Sequence, residues 1–147
     1  MRRSIKNTGE ILVKQNELVF FVNSHQLETW ICEIGLLIEG LVEQVTCFTV
    51  KSKFMLQKGH KDACKSNCVV KKNDSGEYKF ILPQNQLEYF QSVLLRFYRD
   101  SAAEANHIHL YGKQDDCPYN LTVAFDQVKP PMTAEQMQKH IEKLEQG

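Results

Sequence analysis

The sequence has no long apolar run. Its longest uncharged apolar stretches, Leu18 to Val22 and Gly35 to Ile38, are far short of the ~20 residues that span a bilayer. The opening Met1-Arg2-Arg3-Ser4-Ile5-Lys6-Asn7 is basic but has no apolar segment behind it, so it does not read as a secretory signal. Glycines number only seven and none is clustered, which leaves no loop to cradle a phosphate. Neither a G-x-S-x-G elbow nor an H-E-x-x-H helix occurs, and no paired C-x-x-C knuckle is present. The cysteines, Cys32, Cys47, Cys64, Cys68 and Cys117, are odd in number, which without a signal predicts reduced thiols and a cytoplasmic protein. The Asn120-Leu121-Thr122 sequon is then idle. With 147 residues, 42% apolar and 24% charged, the chain reads as a single domain, 1–147, whose core needs no metal or disulfide.

What the chain does have is an internal echo. A shift of 60 residues aligns 17–51 with 77–111 without a gap. Glu17/Glu77, Phe20/Phe80, Gln26/Gln86, Leu27/Leu87 and Glu28/Glu88 are identical. Val22/Leu82, Trp30/Phe90, Ile34/Leu94, Leu37/Phe97, Phe48/Ile108 and Val50/Leu110 are similar. The apolar phase survives through a strand, a helix and a second strand, so we read a duplication with units at 10–56 and 68–126.

Each unit reads strand, helix, strand. Glu17 to Val22 is aromatic and β-branched, a strand signal, and Asn23 or Ser24 can cap the helix that follows. Leu27, Trp30, Ile31, Ile34, Leu37, Ile38 and Leu41 form one stripe at helical spacing and are assigned to the core. Val45 to Val50 closes the first unit. In the second, Tyr78 to Leu82 is a strand, and Leu87, Phe90, Val93, Leu94, Phe97 and Tyr98 line a helix that begins after Pro83. His107 to Leu110 is the matching strand. Ile11 to Val13 and Cys68 to Val70 lead into the two units as hairpins, the second through Asn73-Asp74-Ser75-Gly76. Leu121 to Phe125 adds a late strand. Thr133-x-x-Gln136 resembles a capping box for a C-terminal helix, 133–145, with a narrow stripe of Met137, Ile141 and Leu144. The predicted class is α+β, a mostly antiparallel sheet with packed helices.

Charge is segregated although it sums to zero. From Gln15 to Val50 there is no Lys or Arg, while Glu17, Glu28, Glu33, Glu39 and Glu43 give −5. From Lys51 to Lys72 seven lysines face Asp62 alone, +6. The first helix carries Glu28, Glu33 and Glu39 on its polar side with Cys32 and Leu36 between them. This pattern suits a contact with a basic partner. The lysine stretch could meet phosphates. It has no Arg to read base edges and only Phe54 to stack, which favours a solvated basic loop over a nucleic-acid partner.

Candidate chemistry is sparse. His60, Cys64 and Cys68, spaced by four, could meet on a helix, with Cys47 as a possible fourth zinc ligand. His107 and His109 alternate on a strand and so share a face. They read as two histidines on the polar side of a sheet, with Ile108 and Leu110 turned inward. His140 reads as a packing residue. Cys117 lies beside Asp115 and Asp116, whose charge would disfavour the thiolate. The expectation is a protein with no catalytic residue, metal or cofactor.

The second unit combines a strand, Pro83-x-x-Gln86-Leu87 opening an amphipathic helix, Asn106-His107-Ile108-His109-Leu110, and a closing Leu121-Thr122-Val123-Ala124-Phe125. This arrangement resembles small bacterial immunity proteins of the polymorphic-toxin and contact-dependent inhibition type. The resemblance implies a cytoplasmic protein that binds and blocks one toxin delivered by a neighbouring cell, often a nuclease. It carries over no catalytic residues. On this expectation Glu28, Cys32, Glu33, Leu36 and Glu39 contact the cognate toxin. The alternative is a nucleic-acid-associated accessory protein using residues 51–72, and a third class is a metal-dependent enzyme built on His107 and His109.

Overall fold

The computed structural model describes residues 2–7, 9–59, 68–100 and 107–125, and also 135, 138, 139 and 141–143. The protein is α+β, with its strands in two mixed sheets. Those of the first half of the chain are β1 (Arg2–Lys6), β2 (Ile11–Val13), β3 (Glu17–Val22), β4 (Gln44–Phe48) and β5 (Lys53–Lys58). The rest are β6 (Cys68–Lys72), β7 (Tyr78–Leu82), β8 (His107–Leu110), β9 (Gly112–Gln114), β10 (Cys117–Pro118) and β11 (Asn120–Phe125). Helix α1 is Leu27–Ile38 and α2 is Gln84–Asp100. Among the described residues no helix is long and apolar enough to cross a membrane.

The larger sheet has the order β1-β4-β5-β7-β6-β9-β10 and the smaller one β2-β3-β11-β8. The single sheet expected from the sequence is therefore two. Five described pairings are antiparallel and four parallel, so the antiparallel majority is narrow. The orders correspond between the halves. The hairpin β2-β3 sits beside β11 and β8 as β6-β7 sits beside β5 and β4, and β3–β11 and β5–β7 are both parallel. Each half places its hairpin in one sheet and its post-helix strand in the other. Through the first strand and the helix the positions matched by the shift share burial: Phe20 and Phe80, Leu27 and Leu87, Trp30 and Phe90, Ile34 and Leu94 are all core. Past the helix the match fails, since Val50 is exposed where Leu110 is buried, and Cys47 is buried where His107 is exposed.

The chain passes from one sheet to the other several times, and two of these passages turn at a glycine. Between β1 and β2, a Cβ on Gly9 would lie 2.3 Å from the carbonyl oxygen of Phe21. Between β8 and β9, a Cβ on Gly112 would lie 2.8 and 2.9 Å from the backbone oxygens of Tyr119 and Cys68. A side chain at either corner would push two backbones apart. Asn7 secures the first corner by donating its side-chain amide to the carbonyls of Gly9 and Phe21.

Local signals explain the helices. Asn23 accepts a hydrogen bond from the His25 amide, and a short 3-10 turn, Ser24–Gln26, leads into α1. At the other end Gly40, with φ +72°, lets its amide reach Leu37 O while the Leu41 amide reaches Leu36 O, a Schellman closure. Because α1 stops there, Leu41 is exposed rather than core. Pro83 leaves its carbonyl to accept from the amides of Gln86 and Leu87, which starts α2. Tyr98, expected in the α2 stripe, is also exposed. Of the predicted 133–145 helix, residues 135, 138, 139 and 141–143 are helical, with Ile141 exposed, while Met137, His140 and Leu144 lie outside the described residues.

The inner faces of both sheets and the apolar stripes of both helices share one core. Phe20 is its hub, with ring centroids 4.9 Å from Phe54, 5.1 Å from Trp30 and 6.1 Å from Phe90. The helices meet at matched positions: Trp30 stacks on Phe90 at 6.1 Å, and the Gln91 amide donates to Ile31 O.

The described part of the lysine stretch is mostly strand, not loop. Residues 53–58 and 68–72 are β5 and β6, the two neighbours of β7, while His60, Lys61, Cys64 and Lys65 lie outside the described residues. Phe54 and Leu56 alternate with exposed Lys53 and half-buried Met55 and Gln57 and enter the core, so burial outweighs the charge of the segment. One consequence is that Lys71 and Lys79 stand directly opposite in the β6–β7 ladder. Like charges so placed oppose pairing. Lys79→Glu should therefore raise stability by about 0.2–1 kcal/mol, read as a higher urea midpoint with an unchanged slope.

Candidate functional site

The five residues expected to form a partner surface on α1 do not all share one face. Glu28, Cys32 and Glu39 are exposed along the outer side of the helix. Leu36 is half-buried and packs against the core. Glu33 is buried, and both its carboxylate oxygens lie 2.8 Å from Nε of Arg3. The reason is topological. Parallel pairing sets Arg3 opposite the buried Val45, so the guanidinium rises on the inner side of the sheet beneath α1. Sequence spacing alone could not place β1 there, because Arg2–Lys6 holds a single apolar residue, Ile5.

The exposed stripe has neighbours on α2. The Tyr98 hydroxyl donates to Glu28 Oε1 at 2.7 Å, and this carboxylate raises the Tyr98 pKa above the usual phenol value. Leu95, one helical turn before Tyr98, is 47% exposed and Tyr98 is 52% exposed. The last turn of α1 carries no basic residue and is capped by Glu39, so a carboxylate sits at the negative end of the helix dipole, where it opposes helix stability. Lys58 offsets this by donating from Nζ to Ile38 O at 2.7 Å.

A second constellation lies on the outer face of the smaller sheet. His109 Nδ1 is 2.8 Å from Thr122 Oγ1, and Thr122 donates to Glu17 Oε2 at 2.8 Å. Glu17 also pairs with Lys14 at 3.4 Å. The Thr122 bond, aided by Lys14 and against partial desolvation, holds the Glu17 carboxyl below its usual range. An ionised Glu17 only accepts, so Thr122 spends its proton there and its oxygen accepts from His109 Nδ1–H. That leaves His109 Nε2 facing a shallow hollow of about 370 Å³ lined also by His107, Phe21 and Phe125. His107 and His109 sit edge to face with centroids 5.0 Å apart, and Ile108 and Leu110 are buried as the alternation predicts. Thr122 and Glu17 were missed as their partners because the bond joins three strands that only the β8-β11-β3 order brings together.

The depressed Glu17 pKa has a sign that can be tested. A carboxylate whose folded pKa is lowered stabilises the fold above its unfolded pKa, about 4.3, and that contribution is lost as pH falls through the folded value. Glu17→Gln should therefore flatten the fall of Tm between about pH 5 and pH 3, a window set by that unfolded value, while lowering Tm at neutral pH. An unaltered acid limb would exclude Glu17 from the acid response.

The thiols are divided. Cys47 and Cys68 are buried, and burial pushes the Cys47 thiol well up, whereas Cys32 and Cys117 are exposed. His60 and Cys64 lie outside the described residues. Among the described residues no three His, Cys, Asp or Glu side chains converge as metal ligands. The chain matches no family model and no curated protein.

Proposed function

We propose that the protein is an immunity protein, a cytoplasmic binder that neutralises a cognate toxin by covering its active-site cleft. The observation that carries this reading is the exposed stripe of Glu28, Cys32 and Glu39 on a helix without Lys or Arg. Glu39 stands where a carboxylate costs helix stability, which suits a group kept for an external contact. Exposed Leu95 and Tyr98 beside the stripe supply the apolar and aromatic area that anchors protein interfaces. A nuclease cleft must be positive to attract phosphate, so carboxylates placed over it raise both association rate and specificity. Binding, with no chemistry of its own, then accounts for the action. The likeness of the halves in pairing order, and in burial through the first strand and the helix, supports the further proposal that the chain arose by duplication.

The test is protection. If a secreted protein is encoded beside this one, its expression inside a cell should arrest growth, and co-expression of this chain should restore it in a stoichiometric complex. Growth arrest that the chain fails to relieve would exclude this reading for that pair.

A further inference from the structure

The outer face of the larger sheet, the side away from α1 and α2, is a cationic platform. Two registered rows define it. Arg2, Gln44, Gln57, Ile81, Val69 and Lys113 follow one another across six strands, and Ser4, Thr46, Met55, Lys79 and Lys71 form the next row. At about 4.8 Å per strand the first row extends about 24 Å. Arg2, Lys71, Lys79 and Lys113 make no ion pair among the described residues, whereas Lys53, at the rim, pairs with Glu77 at 3.1 Å. At one end a hollow of about 520 Å³ is lined by Arg2, Lys79, Lys58, Gln44 and Gln57, with Glu43 as its only carboxylate.

We propose that this face binds the phosphate backbone of double-stranded nucleic acid without reading its sequence. Three observations point to that ligand. The opposed Lys71 and Lys79 weaken their own ladder, a cost removed when an anion lies between them. Two cations and two glutamine amides converge on the hollow, a donor set suited to a phosphate, while the ammonium of Lys58 is already bonded to Ile38 O. The apolar residues of the rows, Met55, Ile81 and Val69, are aliphatic and half-buried. The next row, Lys6, Phe48 and Lys53, adds one aromatic ring, the half-buried Phe48. Lysine-rich faces without exposed aromatic anchors are poor protein interfaces, and one half-buried ring gives a single strand little to stack on. This inference does not rest on the immunity reading, since it concerns the side opposite the helices.

The experiment is fluorescence anisotropy of a labelled 20-base-pair DNA duplex, with a polyglutamate peptide as competitor. Each neutralised phosphate contributes a slope of about −0.9 to log K against log salt. Four contacts therefore predict roughly a 100-fold loss of affinity between 50 and 200 mM salt. Lys71→Gln with Lys79→Gln should flatten that slope by about 2, while the charge-matched pair Lys14→Gln with Arg96→Gln should leave it unchanged. Circular dichroism checks the fold, and Arg2→Gln with Lys113→Gln provides a second pair should the first be misfolded. No binding at 50 mM salt, or equal losses in face and control pairs, would overturn the proposal. So would displacement by polyglutamate at matched charge, which would assign the face to an acidic protein.

Discussion

If the protein is the immunity protein proposed above, reversing Glu28 and Glu39 to lysine is expected to abolish protection against its toxin while leaving the melting temperature nearly unchanged. Both side chains are exposed, and substitutions at such positions usually alter stability by less than about 0.5 kcal/mol. Glu39→Lys even places a cation where the helix dipole favours one. Against a positive cleft, two reversals turn attraction into repulsion, which costs several kcal/mol, or more than about 100-fold in affinity. Tyr98→Phe separates positioning from charge. It removes only the hydroxyl that holds Glu28, so it should weaken binding far less. Isothermal titration with the purified toxin domain measures all three, and full affinity in the double variant would remove α1 from the interface.

Phe20→Ala should cost about 3–5 kcal/mol, a large share of the roughly 5–15 kcal/mol that holds a domain together. Phe20 is fully buried and touches aromatic rings from the other sheet and from both helices. Its loss opens a cavity that four elements would have to close together, and rigid strands relax poorly. Phe21→Ala, one residue along on the outer face, is the contrast: that ring is half-buried and should cost clearly less. Urea melts of the two variants decide the matter, and comparable losses would deny Phe20 its place as hub.

Sequence patterns located the elements that carry their own apolar signal. The stripes of α1 and α2, the strands β3, β7, β8 and β11, and both hairpins follow from periodicity and turn chemistry. What escaped depends on partners distant in sequence. Strand β5 buries Phe54 and Leu56 on alternate positions, but its lysines made it read as a loop. Strand β1 has one buried residue and exists because β4 pairs with it. The candidate surface divides likewise. Glu28, Cys32 and Glu39 were legible from helical spacing, whereas the inward turn of Glu33 depends on Arg3, thirty residues away. The cationic platform was invisible for the same reason: Arg2, Lys71, Lys79 and Lys113 come from four strands, and only two of those residues are neighbours in the ladder.

The parallel β3–β11 ladder also sets the order in which the molecule can be made. Glu17 and Thr122, bonded across it, are 105 residues apart in the chain. Bringing such distant segments together carries a loop-closure cost that contacts near in sequence avoid, so folding belongs to the slow, high-contact-order regime. During synthesis β3 leaves the ribosome with β2 alone beside it, and its other edge stays unpaired until residues 120–125 follow. The nascent first half is therefore a natural client for a holding chaperone, and ribosome-bound chains stalled before β11 should resist protease poorly compared with chains stalled after it.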